Sequence, residues 1–239
     1  MTTDDPQGVR LAKRVAALAG CSRREAELLI EGGAVRVDGT VTLLPQARVL
    51  PAQEVGIEPG ARPVAVAPIT LLLHKPAGLR GEDAAALLVP ANQFAPSDDP
   101  RRAASLRRQL VGQRTFTPLD AAASGLMIYT QEWRVERKLR EDAAFIEHEL
   151  MVDVAGDVAP AVLAGLKRLQ STRVSISRQA ADGTGLRFAV KGLQPGQVEA
   201  ACARAGLQIQ AMRRIRIGPL ALAGLPAGQW RLLRSDERV

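Results

Sequence analysis

CSRREAELLIEGGAVRVDG, residues 21–39, decides how the start of this chain folds. Ser22 and Glu25 stand three residues apart, which predicts a capping box. In that motif the Ser22 hydroxyl accepts the Glu25 amide, and the Glu25 carboxylate accepts the Ser22 amide. A helix is therefore predicted to start at Ser22 and to run to residues 30–31. The glycine pair at 32–33 supplies the left-handed residue that ends it.

The flanking sequence completes a small unit. Apolar residues recur at near-helical spacing over residues 9–18, which predicts a first helix ending at Ala19-Gly20. On the other side, Asp38-Gly39 lies between two β-prone runs, and this dipeptide is the strongest short-range signal for a hairpin. The sequence thus predicts a small N-terminal α/β module, made of two helices plus a β-hairpin, over residues 9–63.

Cationic residues are concentrated in this module, and the whole chain carries a formal net charge of +7 with a pI of about 10.2. The cations of the module are Arg10, Lys13, Arg14, Arg23, Arg24 and Arg36. Neutralisation of phosphates supplies most of the sequence-independent affinity of proteins for nucleic acid, so a polyanionic partner is favoured. The alternative is a solvated basic face on an ordinary two-helix unit.

Length and composition limit the number of domains and the kinds of site that the chain can have. A chain of 239 residues is expected to hold two domains. Cys21 and Cys202 are its only cysteines, and His74 and His148 its only histidines, which argues against a disulfide framework and a zinc site. No run is long enough to span a membrane, and the first residues lack the apolar stretch of a signal peptide. We predict a cytoplasmic protein without a metal and without a membrane partner.

A second domain is predicted from residue 69 to residue 236, after proline-rich punctuation that ends near Pro68. Strand-like and helical segments alternate along it, which predicts an α+β fold around a larger mixed sheet. A short helix is predicted to begin at residues 97–100, followed by arginines at 101, 102, 107 and 108. Residues 209–217 alternate apolar and basic side chains, and we predict a strand there with Arg213, Arg214 and Arg216 exposed.

The segment LDAAASGL, residues 119–126, places one carboxylate, Asp120, on a loop just before a buried strand. Ser124-Gly125 allows a tight entry into that strand. Taken alone, an aspartate in this position is typical of a turn or a helix cap rather than of catalysis.

Residues 21–26 and 29–39 resemble the RNA-binding module named after ribosomal small-subunit protein four. The resemblance implies that structured RNA is the partner. In the first module it indicates RNA contacts for Arg10, Lys13, Arg14, Ser22, Arg23, Arg24 and Arg36. In the second domain we assign Lys75, Arg213 and Arg214 to the RNA path.

Four further segments resemble the RsuA/RluF-type ribosomal RNA pseudouridine synthases, which carry the same module in front. They are KPAG at 75–78, LDAAASGL at 119–126, IRIGPL at 215–220 and LPAGQWR at 225–231. The resemblance implies a monomer that isomerises uridine to pseudouridine without a cofactor, in ribosomal RNA or, as the alternative, in transfer RNA. The target nucleotide has to leave the base stack. Asp120 is the residue that matches the family's catalytic nucleophile or general base.

The sequence departs from the family pattern at three places. Thr117-Pro118 stands where the family has Gly-Arg, and Leu150 replaces the aromatic residue that stacks on the flipped base. The stretch that matches the family's arginine-rich segment, residues 192–202, contains no arginine and carries Glu199.

These departures leave two main hypotheses. In the first, the protein is an active synthase in which Arg114, Lys75 or Arg187 compensates for the missing arginine. In the second, it is a catalytically impaired homologue that acts only as an RNA-binding or ribosome-assembly factor. A third possibility, an incidental basic surface, leaves the coincidence of capping box, hairpin and arginine cluster unexplained.

Overall fold

The structure is a computed structural model, and it describes residues 8–65, 67–94, 106 and 109–239. The described residues divide into two compact units. The first contains the residues up to Pro68 together with 106 and 109–112, and the second contains 69–94 and 113–239. The short helix predicted to begin at 97–100, with its arginines at 101, 102, 107 and 108, lies outside the described residues.

The two helices of the first unit have the predicted ends. Helix α1 (Leu11–Ala19) stops at Gly20, which has a left-handed φ of 62°. Helix α2 (Arg23–Glu31) has Ser22 as its N-cap and a complete capping box. The Ser22 amide donates to Glu25 Oε2 at 2.8 Å, and the Glu25 amide donates to Ser22 Oγ at 3.2 Å. The predicted capping box is therefore confirmed.

Short strands complete the first unit: β1 (Val9–Arg10), β2 (Val35–Val37), β3 (Thr40–Val41), β4 (Arg48–Val49) and β5 (Val55–Ile57). Asp38 and Gly39 both have positive φ, 49° and 78°, as a hairpin turn of the predicted kind requires. Strand β2 pairs with β3 and β5, while β1 pairs with β4. The core of this unit lies between the helices and these strands, and its fully buried members include Leu11, Val15, Ala26, Ile30 and Val35.

The second unit is built from longer strands and three helices. Its strands are β6 (Thr70–Lys75), β7 (Arg114–Thr115), β8 (Ser124–Thr130), β9 (Glu147–Val154), β10 (Thr172–Ala180), β11 (Gly183–Lys191), β12 (Ile209–Ile217), β13 (Leu220–Ala221) and β14 (Trp230–Leu232). Its helices are α3 (Trp133–Glu141), α4 (Pro160–Lys167) and α5 (Gln197–Arg204). A short 3-10 helix spans Asp83–Leu87.

The strands of the second unit form one mixed sheet with the main order β10-β11-β9-β12-β8-β6-β14. Strands β8 and β12 are parallel, and their neighbours along the sheet are antiparallel. Gly125 pairs with Arg214 where β8 and β12 meet, and a Cβ atom at Gly125 would lie 2.5 Å from the backbone nitrogen of Arg214. Glycine is therefore required for this close approach, which explains the tight entry predicted at Ser124-Gly125.

One prediction for strand β12, that Arg214 is exposed, is wrong. Arg213 is exposed and Arg216 is partly exposed, but Arg214 is only 1% exposed. Arg214 lies two residues after buried Met212 and so points to the same face of the strand. A bulge between Arg214 and Arg216 then shifts the register, so the simple alternation read from the sequence fails at this point.

Candidate active site

Arg214 holds the loop that precedes β8. Its guanidinium donates to the backbone carbonyls of Thr117 at 2.6 Å, Leu126 at 2.8 Å and Pro118 at 3.0 Å. Burial lowers the pKa of Arg214 to about 9, against the opposing attraction of Asp120, so the group is still charged at neutral pH. A buried cation thus ties together the two ends of the segment that carries Asp120.

Lys75, at the end of β6, holds the same segment from its other side. The side chain is fully buried. Its ammonium group donates to the carbonyls of Leu79 at 2.6 Å, Pro76 at 2.9 Å and Ala121 at 3.4 Å. Burial lowers the pKa of Lys75, whereas the charge of Asp120 acts in the opposite direction. The RNA contacts predicted for Lys75 and Arg214 need exposed head groups, and burial argues against them.

Asp120 interacts electrostatically with both of these cations and receives a hydrogen bond from a helix N-terminus. Its Oδ2 atom accepts the backbone N–H of Gly196 at 3.0 Å, and Gly196 is the N-cap of α5. The first amides of a helix carry partial positive charge that favours a carboxylate. No lysine or arginine in the described ranges forms a salt bridge with Asp120. The arginine-free segment 192–202 thus contacts Asp120 through a backbone amide.

A cavity of about 70 Å³ opens beside the Asp120 side chain. Leu150, Glu199 and Arg214 are among the residues that line it, together with His148. Glu199 is partly buried, and its pKa is raised, first by burial and then by the neighbouring charge of Asp120 and a hydrogen bond with its side chain. The cavity therefore contains two carboxyl groups in contact.

His148, on β9, faces the same cavity and is only 8% exposed. Burial, reinforced by the charge of Arg214, lowers its pKa to about 3, so the imidazole is neutral at physiological pH. Its Nδ1 atom is buried and forms no hydrogen bond with the described part of the protein.

The three cations predicted to compensate for the missing arginine lie in different places. Lys75 is close enough to Asp120 for the two charges to interact. Arg114 instead pairs with Glu136 at 3.4 Å, and Arg187 forms an ion pair with Glu149. Arg214 also interacts electrostatically with Asp120, although the sequence did not suggest it as a compensating residue. The signal that would have identified it is its position two residues after an apolar strand residue.

In the first unit, a cleft of about 460 Å³ is lined by cations. Arg10, Lys13 and Arg23, all predicted RNA contacts, line it and are exposed. Arg48 lines it as well and was not predicted; its guanidinium donates to the Gly8 carbonyl at 2.9 Å. The separation of Arg48 from the other cations in the sequence explains why it was missed.

The other predicted RNA contacts of the first unit have local partners. Arg23 and Arg24 approach Glu27 at 3.4 and 3.5 Å, with 65% and 68% of their side chains exposed. Exposed pairs of this kind contribute little, so both guanidinium groups remain available to phosphate. Arg36 donates to the Gly39 carbonyl at 3.1 Å, and the Ser22 hydroxyl serves the helix cap. Arg14 is partly buried, and Arg213 in the second unit is exposed.

Within the described ranges, no three or more His, Cys, Asp or Glu side chains are grouped so that they could hold a metal ion. Among the helices of those ranges, none combines the length and the apolar character needed to cross a membrane.

Both units of this chain resemble parts of known proteins. The S4 domain family matches residues 9–55. An uncharacterized RNA pseudouridine synthase of Mycobacterium tuberculosis strain H37Rv is 28% identical over 256 aligned positions, covering 98% of this chain and 92% of that protein. The dual-specificity RNA pseudouridine synthase RluF of Escherichia coli K12 is 24% identical, with 97% of this chain and 77% of RluF covered.

The chloroplast protein SVR1 of Arabidopsis thaliana is 27% identical over 92% of this chain, but the chain spans only 56% of SVR1. Among solved structures, a pseudouridylate synthase superposes with a TM-score of 0.53 at 18% identity, covering 95% of this chain and 96% of the other. At that identity the match shows the fold alone. The chain therefore combines an S4 domain with a domain of the pseudouridine synthase fold. Over nearly its whole length the chain is similar to RNA pseudouridine synthases, RluF among them.

Proposed function

We propose that this protein isomerises uridine to pseudouridine in ribosomal RNA, with Asp120 as the catalytic carboxylate. In the net reaction the C1′–N1 bond breaks and a C1′–C5 bond forms, while C5 loses a proton and N1 gains one. A carboxylate can serve such a reaction as a nucleophile at C1′ or as a base. On this proposal the cations of the first unit bind the RNA.

The observation that carries the proposal is the way the Asp120 segment is held. Arg214 donates three hydrogen bonds to backbone carbonyls of this segment, Lys75 donates one to the Ala121 carbonyl, and Gly196 donates to the Asp120 side chain. Burying two cations is costly unless they are well compensated. A loop that merely turned the chain into β8 would not need them. The arrangement supports a role in which the position of the Asp120 carboxylate matters.

A second candidate function is RNA binding without turnover. The cavity beside Asp120 measures about 70 Å³. This is less than half of the roughly 150 Å³ of an apolar cavity known to admit benzene. Leu150 also offers no aromatic ring for a flipped base. An active enzyme would have to open this cavity when RNA binds.

Tritium release separates the two functions. Ribosomal RNA labelled at C5 of uridine loses tritium to water when pseudouridine forms. We expect release with the wild type, loss of release with Asp120→Asn, and retention with the matched control Asp157→Asn, which changes an exposed aspartate of the same unit. If the wild type binds ribosomal RNA but releases no tritium from any ribosomal substrate, the second candidate replaces the first.

The proposal includes a cytoplasmic, monomeric protein whose partner is ribosomal rather than transfer RNA. Competition between the two kinds of RNA in a binding assay tests the choice of partner. Light scattering of the purified protein tests the monomeric state.

A further inference from the structure

We propose that Glu199 is a positioning residue that holds a proton and donates it, in a hydrogen bond, to the Asp120 carboxylate. This inference rests on the proposed function, because it concerns the state of the same site. Glu199 lies in the first turn of α5, three residues after Gly196, which donates to Asp120 Oδ2 at 3.0 Å. Both carboxyl groups line one cavity.

One carboxyl oxygen of Glu199, Oε1, is inaccessible to solvent and forms no hydrogen bond with the described residues. Burial and the charge of Asp120 raise the pKa of Glu199, against the opposing effect of its own backbone amide. Arg214 also lines the cavity, and the three hydrogen bonds of its guanidinium go to the carbonyls of the Asp120 segment. A carboxylate in this position would carry a partly buried charge beside that of Asp120, which is costly. A neutral carboxylic acid removes that charge and becomes a donor itself.

The remaining titratable groups near the pair do not change this assignment. His148 is more than nine-tenths buried, is neutral and leaves Nδ1 unpartnered at the cavity wall. Burial raises the pKa of Cys202, on the same helix as Glu199, to about 11, so it is a neutral thiol. Lys75 interacts with Asp120 but donates to backbone carbonyls. The proton that satisfies the two carboxyl groups therefore belongs to the pair itself.

A shared proton makes the site sensitive to pH in a way that a fixed cation would not. When Glu199 loses its proton, two negative charges lie in contact within a partly buried cavity and repel each other. This repulsion moves the Asp120 carboxylate away from the Gly196 amide and out of the position in which it acts on uridine. We expect wild-type turnover to fall on the alkaline side, and Glu199→Gln to resist that fall because its amide donates at every pH.

Infrared difference spectroscopy during a pH titration tests the proton directly. We expect the C=O stretch of a protonated carboxyl group to persist above pH 4.5, the ordinary pKa of glutamic acid, and to vanish in Glu199→Gln. The matched control Glu141→Gln, at an exposed position, should keep it. Identical spectra for the wild type and Glu199→Gln would overturn the proposal. The measurement needs neither RNA nor turnover, so it can fail independently of the proposed function.

Kinetics supply the second readout. At neutral pH, Glu199→Ala should lower kcat for tritium release by about tenfold, the effect of one lost hydrogen bond to a charged group, with little change in KM. Glu199→Gln should keep most of kcat and extend the alkaline limit. The same alkaline limit in the wild type and Glu199→Gln would contradict the positioning role even if both enzymes are active.

Discussion

Arginine and lysine side chains have different roles in the two units of this protein. Arg23 and Arg24 on helix α2 keep 65% and 68% of their side chains in water. Arg214 and Lys75 in the second unit are 1% and 0% exposed and donate to backbone carbonyls. An exposed cation can exchange its partner for a phosphate at little cost. A buried cation fixes the backbone around it and is no longer available to a ligand.

The difference has a clear energetic basis. A cation loses much of its hydration when it is buried, and only close oxygens in fixed positions compensate for that loss. Arg214 obtains three such oxygens from the Asp120 segment and from β8, and the Asp120 charge adds to them. The exposed arginines remain hydrated, so their contribution to folding is small. Substitutions should therefore separate folding from RNA binding.

The largest effect is expected for Arg214→Met. Removing the guanidinium leaves three carbonyls without their donor, and breaking a buried charged network in this way costs about 3–5 kcal/mol. The free energy of unfolding should fall by that amount in urea denaturation. Tryptophan fluorescence is a suitable probe, because Trp133 and Trp230 are the only tryptophans and both lie in the second unit.

Arg213→Met is the matched control for that experiment. Arg213 is the preceding residue on β12, but its side chain is exposed. A surface substitution of this kind changes stability by less than about 0.5 kcal/mol. Equal losses in the two variants would mean that the buried position of Arg214 has no special importance, and the contrast between the units would fail.

A smaller loss is expected for Lys75→Met. The methionine fills much of the same space, but the carbonyls of Pro76 and Leu79 lose their bond from Lys75, whereas the Ala121 carbonyl keeps its bond from the Gly78 amide. Unsatisfied buried acceptors of this kind cost about 1–3 kcal/mol. Urea denaturation followed by tryptophan fluorescence measures the loss, and Lys191→Met, at an exposed position on β11, is the control. A variant as stable as the wild type would show that Lys75 does not hold the Asp120 segment.

The features predicted correctly from the sequence are those encoded locally. The capping box at Ser22 and the turn at Asp38-Gly39 depend on residues only a few positions apart. The electrostatic partner of Asp120 depends on residues far apart in the chain. Arg214 reaches the Asp120 segment only because β12 pairs with β8.

The helix N-terminus at Gly196 was missed for a related reason. Residues 192–202 contain no arginine, and the hydrogen bond that they donate to the Asp120 carboxylate comes from a backbone amide, which the sequence does not display. A glycine before a helical segment is the signal that would have suggested it. In the first unit, Arg48 joins the cationic cleft through the pairing of β4 with β1, which is again a long-range contact.

The helix cap provides the next prediction in order of size. Ser22→Ala should cost about 1 kcal/mol, the usual effect of removing an N-cap hydroxyl. Hydrogen exchange of the α2 amides measures it, because both tryptophans report on the second unit. Thr40→Ala, at an exposed position of the hairpin, is the control. Unchanged protection of the α2 amides in Ser22→Ala would contradict the prediction.

The cap also predicts a dependence on pH. Hydrogen bonds from Ser22 lower the pKa of Glu25 in the folded state. A lowered pKa means that this contribution is present above the ordinary value of 4.5 and is lost as the pH falls through the folded-state value. The difference in α2 protection between the wild type and Ser22→Ala should therefore shrink in acid. A difference that grew as the pH fell would show that Glu25 does not act through this cap.

The smallest effect on folding is expected for the double substitution Arg23→Glu and Arg24→Glu. Both positions lie in the first turn of α2, where negative charge favours the helix and offsets the lost pairs with Glu27. Protection of the α2 amides should change by less than about 0.5 kcal/mol. Affinity for structured ribosomal RNA should nevertheless fall, and the slope of log affinity against log salt should decrease by about 2, one for each lost phosphate contact.

Arg137→Glu with Arg140→Glu makes the same change in charge on helix α3 of the second unit, where both arginines form exposed ion pairs. Net charge alone would lower RNA affinity equally in both double variants. A specific cationic cleft in the first unit requires a larger loss for positions 23 and 24. Equal losses would mean that the whole basic chain attracts RNA. The RNA affinity could instead fall only in the variant at positions 23 and 24, with its folding intact. The cations that bind RNA would then be ones that contribute almost nothing to the stability of the fold.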